Sequence, residues 1–402
     1  MVPGKRYLVN VNMKYFILLF VGLVTVISGC AQSYIKRHEK AIVVDTHNDV
    51  LYAAIMEGMP IEKNLTGKAH TDFKRLKKGG VDAQIFAVWC DETYGNNTAF
   101  KYANTEIDSL YAIANRNPDK MVLVKTPSEL KKVVKHNKLA AMIGVEGGHM
   151  LEDNMLYLDS LFTRGVRYLT LTWNNSTAWA TSSLDESTNK IPNPQKGLND
   201  FGRKVVKRMN DLGMLVDISH VGEQTFYDVI QTTSKPVIAS HSSVYAICPH
   251  HRNLKDAQIK AIAKNKGVIQ INFASNFIDS AYTKRSKAFL DAHKPELDSL
   301  VKIKGVDIGA YFTQKYPQET DALRPPLSLL LDHIDYIIKL VGADYVGLGS
   351  DFDGISSSPK DMEDVSKFPN ITKGLVERGY SKRDIQKILG GNFIRVWEAN
   401  QP

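Results

Sequence analysis

Residues 41–50 read AIVVDTHNDV: four apolar or β-branched residues that promise a buried strand, running directly into Asp45, Thr46, His47, Asn48 and Asp49. Side chains of an extended chain alternate between two faces, so Asp45, His47 and Asp49 share one face and Thr46 and Asn48 the other. An imidazole and a carboxylate two residues apart at the end of a buried strand can grip one metal ion. Four more such residues close apolar runs: Glu146 after AAMIGV, His220 after MLVDIS, His241 after VIAS and Asp351 after YVGLGS. Three imidazoles and three carboxylates without a cysteine suit a hard or borderline divalent cation, zinc first and manganese among the others. A single catalytic zinc takes three protein ligands and a water. Six groups therefore suit two metals about 3.5–4 Å apart, bridged by one carboxylate. Taken singly, each residue has an ordinary explanation. A histidine at a strand end is usually a hydrogen-bonded structural group, and Asp49 or Asp351 can cap a following helix. Their coincidence at the same end of five strands is what carries the metal reading.

The elements that must position them alternate. Strands are expected at Ile42–His47, Asp82–Trp89, Ala140–Glu146, Tyr168–Trp173, Met214–His220, Val237–His241, Val268–Phe273 and Tyr345–Asp351, with helical periodicity between most of them, as in LNDFGRKVVKRMNDLG at 198–213 and GEQTFYDVIQTTS at 222–234. Eight such βα units predict a closed (β/α)8 barrel, whose C-terminal rim gathers residues distant in sequence. A doubly wound open sheet is the runner-up, and the lack of G-x-G-x-x-G after the first strand weakens its dinucleotide-binding form. Residues 276–325, with Pro295, Pro317 and Pro325 among many charges, read as an insertion between the last two strands, placed to shape a pocket. The tail SKRDIQKILGGNFIRVWEAN opens on an N-cap serine, Ser381, and predicts a helix on the outside of the barrel. His149, His250 and His251 lie just past strand ends, where a role in supporting the metal ligands and a solvated loop position explain them equally well. Asp217 is expected to face away from His220, and Asp353 shares the face of Asp351.

The N-terminus is different in kind. Lys14 precedes YFILLFVGLVTVISGC, an uncharged run that is short for a membrane span and reads as a secretory signal. Its ending, Ile27-Ser28-Gly29-Cys30, resembles the lipobox of bacterial lipoproteins, and Met13 is an alternative start. The expected organisation is a signal peptide over 1–30, a linker over 31–40 and one barrel domain over 41–402. Cys30 would carry lipid and hold an exported protein at a membrane, facing the periplasm or the cell surface. That leaves Cys90 and Cys248, too few for a disulfide framework. With 43% hydrophobic and 23% charged residues the chain is an ordinary folded protein. The net charge of +8 comes partly from the N-terminal end, and without a basic run in the body nucleic acid is a poor partner.

These pieces resemble the membrane dipeptidase family, whose founding member is the renal dipeptidase. The matching motifs are DTHND at 45–49, RLKKGGVDAQIFAVW at 75–89, GVEGG at 144–148, GVRYLTLTW at 165–173, DISH at 217–220, ASHS at 239–242, HRN at 251–253 and GSDFDG at 349–354. The resemblance implies two zinc ions, one on His47 and Asp49 and the other on His220 and His241, with Glu146 between them. It also implies that Arg252 holds the substrate's terminal carboxylate and that Asp351 is the acid beside a metal-bridging hydroxide. One departure stands out: where the renal enzyme has a histidine after LTLT, this chain has Trp173 followed by NNSTAWA, so Asn174 or Asn175 would have to supply the missing hydrogen bond. The expected substrates are dipeptides, with a D-residue tolerated at the C-terminal position. Family members are commonly dimers. Two other readings keep the same residues: hydrolysis of another amide, ester or lactone, β-lactams included, and a lipid-anchored binding protein with a structural metal site.

Overall fold

The computed structural model describes residues 34–95, 97–191, 196–303 and 308–402. The expected signal, with Cys30, lies outside them.

Among the described residues nine strands form one sheet: β1 Val44–Asp45, β2 Ala83–Trp89, β3 Met121–Leu123, β4 Leu139–Glu146, β5 Val166–Thr170, β6 Leu215–Asp217, β7 Ile238–Ala239, β8 Val268–Ile271 and β9 Val346–Leu348. Every pairing is parallel, in the order β1-β2-β4-β5-β6-β7-β8-β9, with β3 attached to β4 off that path. The last strand returns to the first. Thr46 N donates to Leu348 O at 3.2 Å, Asp351 N to His47 O at 3.0 Å and Asp49 N to Phe352 O at 2.9 Å. These bonds close the expected (β/α)8 barrel, and they run through the same segments that carry His47, Asp49 and Asp351.

Alternation along β4 shows how a strand builds both layers. Ala140 and Met142 join an inner cluster with Ala83, Ile85, Tyr168, Leu215, Ile238 and Val268. Ala141, Ile143 and Val145 join the cluster between the sheet and its helices. Glu146 continues the inner register and so emerges at the rim.

Three features differ from the sequence reading. The tail does cap on Ser381, whose hydroxyl accepts from Asp384 N at 3.1 Å. Its last helix, Asn392–Asn400, does not lie outside the barrel. Phe393, Val396 and Trp397 share the inner cluster with residues at the strands' N-terminal ends, so this helix closes the floor. Residues 34–39, expected as linker, are helical, and His38 is buried with its ring bonded to Thr372 Oγ1 at 2.7 Å and Gly79 O at 2.8 Å. The third is β3, a three-residue strand too short to register as periodicity. The segment between β8 and β9 is helical, including Tyr282–Ala292, Lys294–Leu300, Ile308–Lys315 and Pro317–Leu323.

Candidate metal and substrate site

The structure brings His47, Asp49, Glu146, His220, His241 and Asp351 to one rim. Glu146 sits between two groups. Its Oε2 is 3.2 Å from His47 Nε2, and its Oε1 is 2.8 Å from His220 Nε2 and 3.4 Å from His241 Nε2. His47 Nε2 is also 3.5 Å from Asp49 Oδ2. The potential ligand atoms of His47, Glu146 and His241 lie within 4.8 Å of one another, and so do those of His47, Asp49 and Asp351. Asp351 therefore crowds the His47 side more closely than its sequence position implied. Its Oδ2 accepts from Asn272 Nδ2 at 2.7 Å. Both His220, at φ 64°, and Asp351, at φ 61°, adopt left-handed backbone, which turns them off the ladder and over the rim.

The tautomers of two imidazoles follow from their partners. Ser240 Oγ donates to Asp217 Oδ2 at 2.6 Å, since the carboxylate can only accept; lying 2.8 Å from His241 Nδ1, it must then accept from that nitrogen. Tyr168 OH likewise donates to Thr46 O at 3.2 Å and accepts from His47 Nδ1 at 2.8 Å. Both rings are held as Nδ1–H, with Nε2 lone pairs aimed at Glu146. Asp217, to which the sequence reading gave no metal, is thus the anchor of a metal-site histidine. It takes further bonds from Thr170 Oγ1, Ser219 N and Ser240 N at 2.5, 3.1 and 2.8 Å. The Tyr168 ring needs Gly144 beside it, because a Cβ there would lie 2.0 Å from Tyr168 Cζ. Asp45, grouped with His47 by alternation, is spent on structure. It accepts from Ser350 N at 2.8 Å, Ser350 Oγ at 2.7 Å and Gln84 Nε2 at 3.1 Å.

Electrostatics set the same arrangement under tension. Burial disfavours an imidazolium at His47, but the Glu146 and Asp49 carboxylates outweigh it and push the group up to about 10. Burial opposes ionisation of Glu146, yet His47 and the bonds from His220 and His241 hold it well below the usual carboxylate range. Burial raises Asp49 well above its ordinary value, helped by Glu146 and Asp351. Burial and the Arg252 charge push His220 down to about 3. With neutral rings held as Nδ1–H, acceptor would face acceptor here, and without a cation a proton on His47 is what relieves it: His47 Nε2 has no hydrogen-bond partner among the described residues other than its 3.2 Å approach to Glu146, and the Nε2 atoms of His220 and His241 approach to 2.9 Å. Divalent cations are what such a donor set fits.

A cavity of about 390 Å³ opens above, lined by Asp49, Glu146, His220 and Asp351, by the aromatics Tyr52, Trp89 and Trp173, and by Asn174 and Arg252. Trp89 meets Tyr52 edge to face at 4.4 Å and Trp173 at 5.0 Å. Trp173 thus turns the position of the renal histidine into part of an apolar wall. Asn174 reaches the cavity and is braced by Ser182 Oγ, which donates to its carbonyl at 2.6 Å. Arg252 is buried, with Nη2 3.4 Å from His241 O, and burial lowers it to about 10 against the pull of Glu146 and Asp351. His149 bonds Cys90 O at 3.1 Å beneath the rim, and His251 Nδ1 bonds Ser183 Oγ at 2.6 Å. Sequence reasoning passed over Tyr168 and Ser240; a hydroxyl residue within an apolar strand run was the available signal.

Residues 34–402 match the membrane dipeptidase family, peptidase family M19. Among solved structures the chain is similar to the probable dipeptidase PvdM from Pseudomonas aeruginosa, at 26% identity over 93% of this chain and 99% of that one, with a TM-score of 0.73. It is also similar to the dipeptidase AC, a family M19 metallopeptidase, at 22% identity over 90% and 98%, TM-score 0.72. A metallopeptidase from Rhodobacter sphaeroides, liganded with a phosphinate mimic of the dipeptide L-Ala-D-Ala, aligns at 22% identity over 90% and 100%, TM-score 0.71.

Proposed function

This chain belongs to the membrane dipeptidase family and is a metallo-dipeptidase, and we propose that it holds two zinc ions across Glu146 and cleaves dipeptides, including those ending in a D-residue. The observation that carries the reading is the division of Glu146, one oxygen toward His47 and the other toward His220 and His241. His47 and Asp49 would hold one cation, His220 and His241 the second. Bound there, divalent cations supply an acidified water and a polarised peptide carbonyl.

The remaining residues position and shuttle. The Arg252 guanidinium pairs with the free C-terminal carboxylate through two parallel hydrogen bonds, which restricts substrates to those with a C-terminus next to the scissile bond. Asp351, steadied by Asn272, takes up a proton and returns it to the departing amine. The Tyr52, Trp89 and Trp173 wall excludes water, and Asn174 bonds the substrate backbone. The Rhodobacter protein's L-Ala-D-Ala mimic agrees with this substrate class.

The test is hydrolysis of Ala-Ala and Ala-D-Ala by metal-free and zinc-reloaded protein, with zinc content measured. Activity tracking a second equivalent of zinc supports the reading. Full activity in the metal-free protein, or at one zinc per chain, refutes it. Export and anchoring are proposed from the apolar run ending at Cys30. Cys30→Ala should move the protein from the membrane to the soluble fraction.

A further inference from the structure

The cavity holds one carboxylate that neither the metal reading nor Arg252 uses. The Asp353 side chain is 2% exposed and lines the cavity beside Asp49 and Asp351. Its Oδ1 accepts from His70 N at 2.5 Å. His70 Nδ1 accepts from Asp353 N at 2.9 Å, so in the neutral ring this nitrogen carries no proton to give back to the carboxylate. The buried Asp353 Oδ2 has no hydrogen-bond partner among the described residues. A buried carboxylate oxygen left without a donor is costly. Among the described residues, His70 is the only basic side chain within ion-pair distance of Asp353.

The backbone has been shaped to put that oxygen there. Asp353 adopts left-handed backbone at φ 69°, two residues after Asp351 does the same. Gly354 lets the loop pass close over the site, for a Cβ there would lie 2.3 Å from Asp49 Oδ2 and 2.6 Å from Asp351 Oδ1. The cavity lining thus holds a buried guanidinium, Arg252, from the segment after β7 and, from the segment after β9, a carboxylate with one oxygen unbonded among the described residues. A dipeptide zwitterion has the matching polarity, an ammonium at one end and a carboxylate at the other.

We propose that Asp353 receives the α-ammonium of the substrate's N-terminal residue, and so is the residue that makes a free amino terminus a requirement. The inference rests on the dipeptidase reading and sharpens it, because a general amide, ester or lactone hydrolase has no need of this carboxylate. Asp353→Asn preserves size, keeps an acceptor for His70 N–H and tolerates left-handed φ. The experiment compares zinc-loaded wild type and variant in Ala-Ala turnover. It also measures equilibrium binding of a phosphinate dipeptide mimic and of the same mimic lacking its amine. In the variant, KM for Ala-Ala should rise about tenfold or more with kcat within a few-fold, as loss of a charge-assisted bond made in ground and transition state alike. The amino mimic should weaken by a similar factor, while the des-amino mimic binds both proteins equally. Wild type alone should prefer the amino mimic by about tenfold or more. No such preference in wild type, or equal weakening of both mimics in the variant, overturns the proposal and leaves Asp353 as a prop for its loop. Failure of wild type to cleave Ala-Ala removes the dipeptidase reading first, and this proposal with it.

Discussion

Tyr168→Phe is the sharpest test of how the metal site is held. The substitution removes one oxygen from a fully buried ring and leaves the ring's packing against Gly144 intact. Two bonds disappear: the one accepted from His47 Nδ1 at 2.8 Å and the one donated to Thr46 O at 3.2 Å. Each stranded buried partner costs about 1–3 kcal/mol, so the metal-free protein should lose roughly 2–6 kcal/mol of stability. Metal binding suffers separately. Without an acceptor on Nδ1, the His47 ring is free to swing and to change tautomer, and loss of such an outer partner weakens binding about 10–100-fold. The weakening should fall on the ion proposed at His47 and Asp49, because His241 has its own support in Ser240 and Asp217. The assay is a two-step zinc titration against a chromophoric chelator, with urea unfolding in excess chelator to isolate the stability term. One weakened step and one unchanged step is the expected result. Affinities within twofold of wild type at both steps would refute the tautomer argument.

Asp351→Asn suits the left-handed backbone at 351 and keeps an oxygen for Asn272, so it should bind metal normally while kcat for Ala-Ala falls about 10²–10⁴-fold; near-normal turnover would remove the proton shuttle. Arg252→Ala should act mainly on KM for dipeptides, and a variant that instead loses kcat with KM unchanged would take Arg252 out of carboxylate binding. Asp82 supplies a pH signature away from the rim: burial carries its carboxyl from 3.8 to about 6 against the bond from Val43 N. Between about pH 4 and 6 the unfolded chain has released this proton while the folded chain retains it, so stability is lost as pH rises through that window. The cost is about 3 kcal/mol at most, at about 1.4 kcal/mol per pH unit. Other buried carboxyls, Asp45 among them, contribute in the same window, so Asp82→Asn should make the slope shallower by up to about 1.4 kcal/mol per pH unit in unfolding measurements made with chelator, and identical slopes in both proteins would contradict it.

The rim was legible in the sequence because barrel closure maps a simple one-dimensional signal onto space. An apolar run that ends in a histidine or a carboxylate must deliver that residue where the strand stops, and parallel strands all stop at one face. Glu146, His220, His241 and Asp351 needed nothing more. The layer beneath was opaque for a reason that is also geometric. Tyr168 meets His47 across 121 positions of sequence, and Asp217 meets Ser240 across 23. Which inward residues share a height in the barrel depends on the stagger of the strands, and no single run encodes it. Asp217 was read by alternation relative to His220, but the chain leaves the ladder after Asp217 and reaches φ 64° at His220, so alternation had already ended between them. A similar break hid the tail, where the chain kinks at Gly390, whose φ of 175° and ψ of −20° are not helical, and the last helix is redirected beneath the strands. Polar residues inside barrel strands therefore ask for a different reading from those at strand ends. With no water to meet them, their bonds must run to other buried groups, and here the groups they find are the undersides of the residues placed to hold the metal.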